Sequence, residues 1–297
     1  MRVAAADGQW IKKPGRTVAA ERYERYAVVT HLVRPGERLA QTLAPYLAGR
    51  VGARDVVAVG EKIVAIAEGR AVLLRAVTPG WLARWLASRV SQLGHGLGLR
   101  RPETMEMAIR EAGWPRILLA AAVGAAGRLL GRRGGFYRVA GRRVAAIDGP
   151  GPTTIAPYDR YIVLAPCRAG EFCTAMARRL GAGVAVVDVN DLGSEVLAVS
   201  AGVDGRAVQE LLRDNPMGQG AQRTPVMVLR RRVVGWSASA CGGRSHPTGG
   251  RGAACGAGPI ATRSYNGAKT RAGGDPRQRG QHLWTFLRPC GSTDTSR

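Results

Sequence analysis

The sequence predicts a mixed α/β domain of the α+β class, with a helical segment inside it and a disordered tail behind it. Strand-like apolar runs alternate with helix-like periodic segments between Tyr26 and Arg232. Hairpin patterns occur among them, which argues against a strict doubly wound parallel sheet. We therefore expect a flexible basic arm over residues 1–25, the folded domain over residues 26–232 and a tail over residues 233–297.

In the first half of the domain, apolar spacing and turn residues define the elements. Leu39, Leu43 and Leu47 share one face of a helix that opens at Glu37. Thr78-Pro79-Gly80 is typical of a helix start. The other predicted elements are a strand over 26–33, a strand over 55–59, apolar segments over 63–67 and 71–77, helices over 102–112 and 115–130, and a β-hairpin over 136–147 around Gly141.

The second half repeats the alternation with shorter elements. Gly181 is placed to end a helix in the left-handed conformation that glycine favours. The predicted elements are strands over 161–164, 184–187, 196–200 and 224–229, and helices over 169–180 and 205–212.

The chain carries a formal net charge of +23, and almost all of its cations are arginines. A charge of this size attracts polyanions, so charge-driven nucleic-acid binding is one functional alternative. The basic residues are scattered, however, and are densest at Arg132-Arg133, Arg142-Arg143 and Arg230-Arg231-Arg232. No zinc-finger, RNP-like or helix-turn-helix pattern accompanies them. A solvated arginine-rich surface is the simpler interpretation.

Cysteine usage and hydropathy indicate a cytoplasmic protein that does not enter a membrane. The five cysteines form no CxxC pair, and the N-terminus lacks the apolar core of a signal peptide. The longest apolar run covers residues 117–127, which is shorter than the about 20 residues that a membrane span needs.

The tail begins abruptly after Arg232, where glycine, serine, threonine, arginine and proline replace the hydrophobic period. Such a composition buries too little apolar surface to offset the entropy of ordering the chain. We interpret residues 233–297 as disordered. Their abrupt onset also fits a frameshifted reading of the 3′ end of the gene, which resequencing would test.

Three acid-bearing segments follow strand-like runs: Glu61 with Lys62, then Asp148, and then Asp188, Asn190 and Asp191. Magnesium takes oxygen ligands and usually shares them with substrate phosphates. Separate strand ends meet in one cleft in many α/β sheets. The segments therefore predict a metal and phosphate site, with simple capping of helices and turns as the alternative.

Asp148 stands in a stiff loop, Ile147-Asp148-Gly149-Pro150-Gly151-Pro152. Glycine permits close backbone approach and proline stiffens the intervening chain, which suits a metal or phosphate ligand. A rigid surface connection is the alternative. Nucleophilic catalysis has little support, because Cys167 and Cys173 lack an evident base and are interpreted as packing residues.

Three segments together resemble the coenzyme F-420-0:L-glutamate ligase family, the γ-glutamyl ligases. Residues 55–70, ending in Ala67-Glu68-Gly69-Arg70, are similar to the family stretch GDVVVVAQKIVSKAEGR. Ile147-Asp148 is placed like the family's Gly-Ile-Asp segment. Residues 184–193 are placed like its V-x-V-x-x-SDTFG segment. The resemblance runs from about Val28 to Arg232.

The resemblance implies an enzyme that binds GTP and two divalent cations, Mg²⁺ or Mn²⁺. It would join the α-amino group of glutamate to a carboxylate of a deazaflavin coenzyme precursor, or of another acid, through an acyl phosphate. By position, Asp148, Asn190 and Asp191 would be metal ligands, with Asp188 as a substitute two residues before Asn190. The nucleotide would lie beside six residues: Thr30, His31, Leu32, Glu61, Lys62 and Gly151. The family's dimeric habit implies a homodimer.

Three departures separate this chain from the family pattern. Ala65-Ile66 replaces a Ser-Lys pair, so a phosphate-facing lysine would be missing, and Lys62 or an arginine would have to replace it. Asn190 replaces an aspartate, and Gly151 stands where an asparagine is expected. The chain therefore resembles a divergent branch, with a noncatalytic nucleotide- or metal-binding homologue as an alternative function.

Overall fold

The computed structural model describes residues 7–90, 98–132, 134–151, 154–191, 193–218 and 222–232. Its strands are β1 (Trp10–Val18), β2 (Glu21–Val28), β3 (Val56–Gly60), β4 (Ala71–Leu73), β5 (Tyr161–Val163), β6 (Gly183–Asn190), β7 (Gly193–Val199) and β8 (Val226–Arg232). Its helices are α1 (Leu39–Leu47), α2 (Glu61–Ala67), α3 (Trp81–Arg89), α4 (Pro102–Ala112), α5 (Trp114–Leu129), α6 (Gly135–Ala140), α7 (Arg142–Ala145), α8 (Ala169–Leu180) and α9 (Gly205–Leu212). The α+β class is confirmed.

Six strands form the main sheet in the order β1-β2-β8-β3-β6-β7, and β4 pairs with β5 in a separate two-stranded sheet. Only β3 and β6 are parallel; the other pairs of the main sheet are antiparallel. Val28 faces Val226, which faces Val59, which in turn faces Val186. Because β2, β3 and β6 run in the same direction, the residues that follow Val28, Val59 and Val186 lie at one end of the sheet.

The central strands β3, β6 and β8 are buried on both faces over most of their length, as their almost uninterrupted apolar residues predict. Val57 and Val59 pack with α1, α2 and α8 on one face, whereas Ala58 packs with α9 on the other. The same alternation holds in β6 and β8, because successive side chains of a strand point to opposite faces. Leu43 and Leu47, predicted to share a helix face, are fully buried in the first of these cores.

A second core joins the helical segment to the small sheet. It contains Leu86 of α3, Met105 and Met107 of α4, Ile117 of α5 and Ile162 of β5. The helices predicted over 102–112 and 115–130 are confirmed to within a residue. Across the described ranges, no helix combines the length and the apolar character needed to cross a membrane.

The flexible arm expected over residues 1–25 is wrong from Trp10 onward, because β1 and β2 form an antiparallel hairpin at the edge of the sheet. Arg25 anchors this hairpin. It is 1% exposed, and its Nη1 and Nη2 donate to the Asp214 carboxylate at 2.5 and 2.9 Å. Both faces of β1 and β2 carry charged residues, so these strands lack the alternation of apolar and polar residues that predicts a strand.

The hairpin expected over residues 136–147 is also wrong, since the segment forms α6 and α7. Gly141, at φ +95°, separates the two short helices where a hairpin turn was expected. The apolar segment over 63–67 belongs to α2. The tail predicted over residues 233–297 lies outside the described residues.

Candidate functional site

Glu61 is the first residue of α2 and directly follows Gly60, the last residue of β3. This junction turns the Glu61 side chain inward, where it is 6% exposed. Its Oε2 atom is buried and has no hydrogen-bond partner among the residues that the structure describes. A buried carboxylate oxygen normally has a donor, so an unpartnered one suggests a missing ligand.

Lys62 and Asp148 form an ion pair. Lys62 is on α2, and Asp148 lies in the segment that runs from α7 to the small sheet. The backbone of Asp148 exchanges two hydrogen bonds of 2.9 Å with Val163, so it forms an isolated bridge beside β5. The tertiary fold thus brings Asp148, distant in sequence, to the first turn of α2.

Asp188 enters the site from β6, the parallel neighbour of β3. Gly60, the last residue of β3, pairs with Val187, and Glu61 and Asp188 are the residues that follow this pair. Asn190, two residues further and on the same side of β6, forms a side-chain hydrogen bond with Asp188. Glu61, Lys62, Asp148 and Asp188 therefore form one charged group, which we call the acid cluster.

Burial and like charge make the acid cluster electrostatically unusual. Desolvation, followed by repulsion from Asp188 and Asp148, raises the pKa of Glu61 to about 8, although Lys62 opposes the shift. Burial also raises the pKa of Asp188, and the charges of Asp148 and Glu195 add to this effect. Partial burial works against the Lys62 cation, but Asp148, Asp188 and Glu61 outweigh it and raise the Lys62 pKa. Neighbouring acids with raised pKa values, lying together at one end of a sheet, are typical of a functional site.

Arg142 and Glu195 border the acid cluster and were missed by the sequence reasoning. The Nη2 atom of Arg142 lies 3.0 Å from Glu195 Oε1 and donates to the Val196 carbonyl at 2.9 Å. Its positive charge lowers the pKa of Glu61. The sequence analysis noted the basic pair Arg142-Arg143 but assigned it to a hairpin, so it did not place Arg142 near the acids.

Thr30, His31 and Leu32 follow β2 at the same end of the sheet as the acid cluster. Each of them has different contacts. Thr30 is fully buried and donates from Oγ1 to the His31 carbonyl at 3.1 Å. The His31 ring nitrogens lie 2.9 Å from Tyr46 Oη and 2.9 Å from Glu37 Oε2. Leu32 packs against the core between the main sheet and α1, α2 and α8. Nucleotide contact by these residues stays a prediction.

Asp191 and Gly151 stand apart from the contacts that define the cluster. Asp191 lies in the turn after β6 and accepts a hydrogen bond from Asn215 Nδ2 at 2.8 Å. Gly151 accepts a backbone hydrogen bond from Thr154 at 3.1 Å, and a Cβ atom added to it would meet nothing within 4 Å. Their predicted roles toward metal and nucleotide remain untested.

The Ala67-Glu68-Gly69-Arg70 segment, the most specific part of the family resemblance, holds the fold together. Glu68 accepts hydrogen bonds from the backbone of Cys167 and Arg168 at 2.6 and 2.9 Å, immediately before α8. Arg70 is 4% exposed; its Nε donates to the Ala165 carbonyl and its Nη2 to Glu111 Oε1, each at 2.6 Å. The segment ties α2 to α8 and α4.

The acid cluster has the chemistry of a hard-cation site, because its donors are carboxylate oxygens and one of them is buried without a partner. In the part of the chain that the structure describes, no three His, Cys, Asp or Glu side chains are grouped closely enough to hold an ion alone. Mg²⁺ typically needs only one or two protein carboxylates and completes its shell with water and substrate phosphates. Glu61 and Asp188, with Asp148 beside them, fit that requirement.

The densest basic sites are largely matched by acids. Arg230 Nη2 lies 2.8 Å from Asp55 Oδ2, and Arg231 Nη2 lies 2.5 Å from Glu21 Oε1. The charges of Arg230 and Arg231 are therefore compensated locally.

A family model described as F420-0:Gamma-glutamyl ligase matches residues 27–231, more than half of the chain. The matched region contains the main sheet from the end of β2 onward and all four residues of the acid cluster. A search of curated proteins finds no match.

Proposed function

The chain belongs to the F420-0:gamma-glutamyl ligase family, and we propose that it uses GTP and a divalent cation to join glutamate to an acid. The acceptor is a carboxylate of a deazaflavin coenzyme precursor or of a related acid. The carboxylate would first receive the γ-phosphoryl group of GTP, and GDP would leave. The glutamate amine would then displace phosphate from the acyl phosphate to form the amide.

The buried Glu61 carboxylate carries this proposal. An unpartnered carboxylate oxygen beside Asp188 is unfavourable in the protein alone, because desolvated like charges repel. A divalent cation bound by Glu61 and Asp188, with substrate phosphates and water as its other ligands, would offset that cost. When bound, such a cation neutralises phosphate charge and polarises a phosphoryl oxygen.

Lys62 is suited to contact the transferred phosphate. Its side chain remains 51% exposed, so its ammonium group is accessible from solvent while it faces Asp148. The position of the family's missing phosphate-facing lysine is occupied by Ile66, which is 5% exposed and packs in the main core. We therefore assign the phosphate-facing cation to Lys62, at the opposite end of the same helix.

Nucleotide and metal dependence can be tested by thermal shift. We expect GTP with Mn²⁺ to raise the melting temperature, and either one alone to raise it less, because each completes the other's binding site. GDP and phosphate release should require glutamate and the acid acceptor together. Asp148→Ala should abolish release, whereas Glu171→Gln, an exposed acid on α8, should leave it unchanged.

The departures at Ile66 and Asn190 favour one second candidate, a noncatalytic nucleotide- and metal-binding homologue. It predicts the same thermal shift with no GDP release on any acceptor. No shift with any nucleotide would contradict both functions. Charge-driven nucleic-acid binding would instead show as DNA or RNA binding that falls steeply with salt and survives Asp148→Ala.

A further inference from the structure

A small cavity lies where α4, α5, α6 and α7 meet, beside the acid cluster. Its volume is about 230 Å³, and its charged lining residues are Glu111, Arg116, Arg142 and Arg143. The lining holds three guanidinium groups and one carboxylate, and Arg142 also pairs with Glu195 outside the lining, so the cavity carries a modest excess of positive charge. An arginine-lined concavity is a typical recognition site for carboxylate or phosphate groups, because the guanidinium fork pairs with two oxygens at once.

The only acid of the cavity lining is already engaged. Glu111 Oε1 accepts from the buried Arg70 at 2.6 Å, and Glu111 Oε2 lies 3.7 Å from Arg143 Nε. Arg116 donates from Nε to the Val139 carbonyl at 2.7 Å and has no ion pair among the described residues. The positive charge of the cavity is therefore only partly balanced by the protein.

Gly141 shapes the cavity around Arg116. A Cβ atom at Gly141 would lie 2.8 Å from Arg116 Nη2, closer than side chains approach in practice. The glycine also has φ +95°, a conformation that other residues rarely adopt. The bare backbone thus lets the Arg116 guanidinium lie over the loop between α6 and α7.

The cavity adjoins the acid cluster through one shared element. Arg142 and Arg143 begin α7, and the chain continues from α7 to Asp148 in the cluster. The positive charge of Arg142 also acts on Glu61. Arg142 and α7 therefore connect the cavity to the proposed phosphate and cation site.

We propose that the cavity lined by Arg116, Arg142 and Arg143 binds the carboxylates of the incoming glutamate. This assignment rests on the proposed ligase function, which requires glutamate to bind beside the activated acid. A volume of about 230 Å³ suits a small dicarboxylate and is below the range of roughly 300–1,000 Å³ typical for larger ligands. Three arginines can serve two carboxylates while leaving the amine free to react.

The test uses the full chain and three single substitutions. Arg116→Gln and Arg143→Gln remove cavity cations at exposed positions, where folding should be little affected. Arg128→Gln, an exposed residue later on α5, is the matched control. Each protein is assayed for its KM for glutamate, GTP and the acid acceptor, and for direct glutamate binding by calorimetry in the presence of GTP and Mg²⁺. Glutamine serves as a ligand that lacks the side-chain carboxylate.

We expect each cavity variant to raise the KM and the dissociation constant for glutamate about 10- to 100-fold, the range for losing a charge-assisted contact. The constants for GTP and acceptor should stay within about twofold, and Arg128→Gln should match the wild type. Glutamine should bind the wild type more weakly than glutamate.

Two results would overturn the assignment while leaving the ligase function intact. One is active variants whose glutamate constants are unchanged. The other is a loss confined to GTP or to the acceptor, which would give the cavity to a phosphate or to the other acid. Glutamate binding that is weakened by Arg116→Gln in a protein without ligase activity would support the cavity and contradict the proposed function.

Discussion

Lys62 on α2 forms an ion pair with Asp148, a residue that reaches it only because its backbone bridges β5. The pair joins a proposed phosphate ligand to a proposed cation ligand. The Lys62 ammonium group lies against the same carboxylate that the proposed cation would approach. Metal and nucleotide binding are therefore expected to be linked at this pair.

Lys62→Met should change cation and nucleotide binding in opposite directions. Removing the competing ammonium should tighten Mn²⁺ binding up to about fivefold in the absence of GTP, since partly exposed ion pairs contribute about 0.2–1 kcal/mol. GTP binding should weaken because a phosphate-facing cation is lost. Titration calorimetry measures both constants, and a parallel loss of both would contradict the linkage.

The free energy of unfolding of the wild type should fall as pH rises, and Glu61→Gln should abolish this fall. The Glu61 pKa rises from 4.5 to about 8 on folding, so the folded state takes up a proton. Between pH 4.5 and about 8, Glu61 is ionised in the unfolded chain but still protonated in the folded protein. The wild type therefore loses stability as pH rises through this range. The shift corresponds to an upper limit of roughly 5 kcal/mol.

Denaturant unfolding between pH 5 and pH 9 in EDTA measures this effect. The free energy of unfolding of Glu61→Gln should exceed that of the wild type increasingly toward pH 9, and saturating Mn²⁺ should stabilise the wild type more than the variant. Parallel pH curves for the two proteins would refute the role assigned to Glu61.

Glu68→Gln should weaken the fold rather than the chemistry. It replaces a carboxylate that accepts from two backbone N–H groups before α8, and its amide can accept from only one of them. We expect the free energy of unfolding to fall by about 1–3 kcal/mol. Glu171→Gln, within α8, should change it by less than about 0.5 kcal/mol. A large drop in kcat with unchanged stability would instead place Glu68 in the active site.

Cys173 should resist alkylation in the folded protein. Its side chain is fully buried, and burial raises the pKa of the thiol to about 11. Little thiolate exists near pH 8, and the reagent has no access to it. Mass spectrometry of iodoacetamide-treated protein should show the Cys173 peptide modified only after denaturation. Rapid labelling under native conditions would show that α8 detaches readily from the sheet.

Local patterns predicted most of the elements that build the cores. The leucine spacing of α1, the apolar run of β3 and the glycine that ends α8 all rest on interactions between near neighbours in sequence. The β1–β2 hairpin did not follow from such patterns, because the charged Arg25 is buried through tertiary contacts, among them those with Leu211 and Asp214. Likewise, α6 and α7 were mistaken for strands, since short apolar segments suit either structure.

By itself, the sequence determined the family resemblance, the apolar strands and the presence of acids after several of them. Only the tertiary structure decided which acids meet. The parallel pairing of β3 with β6 places Glu61 near Asp188, and the bridge to β5 delivers Asp148 to Lys62. Asp191 turns instead to Asn215, and Glu68 and Arg70 became anchors of the fold. The order of the strands depends on contacts between segments that are distant in sequence, so local patterns of residues did not determine it.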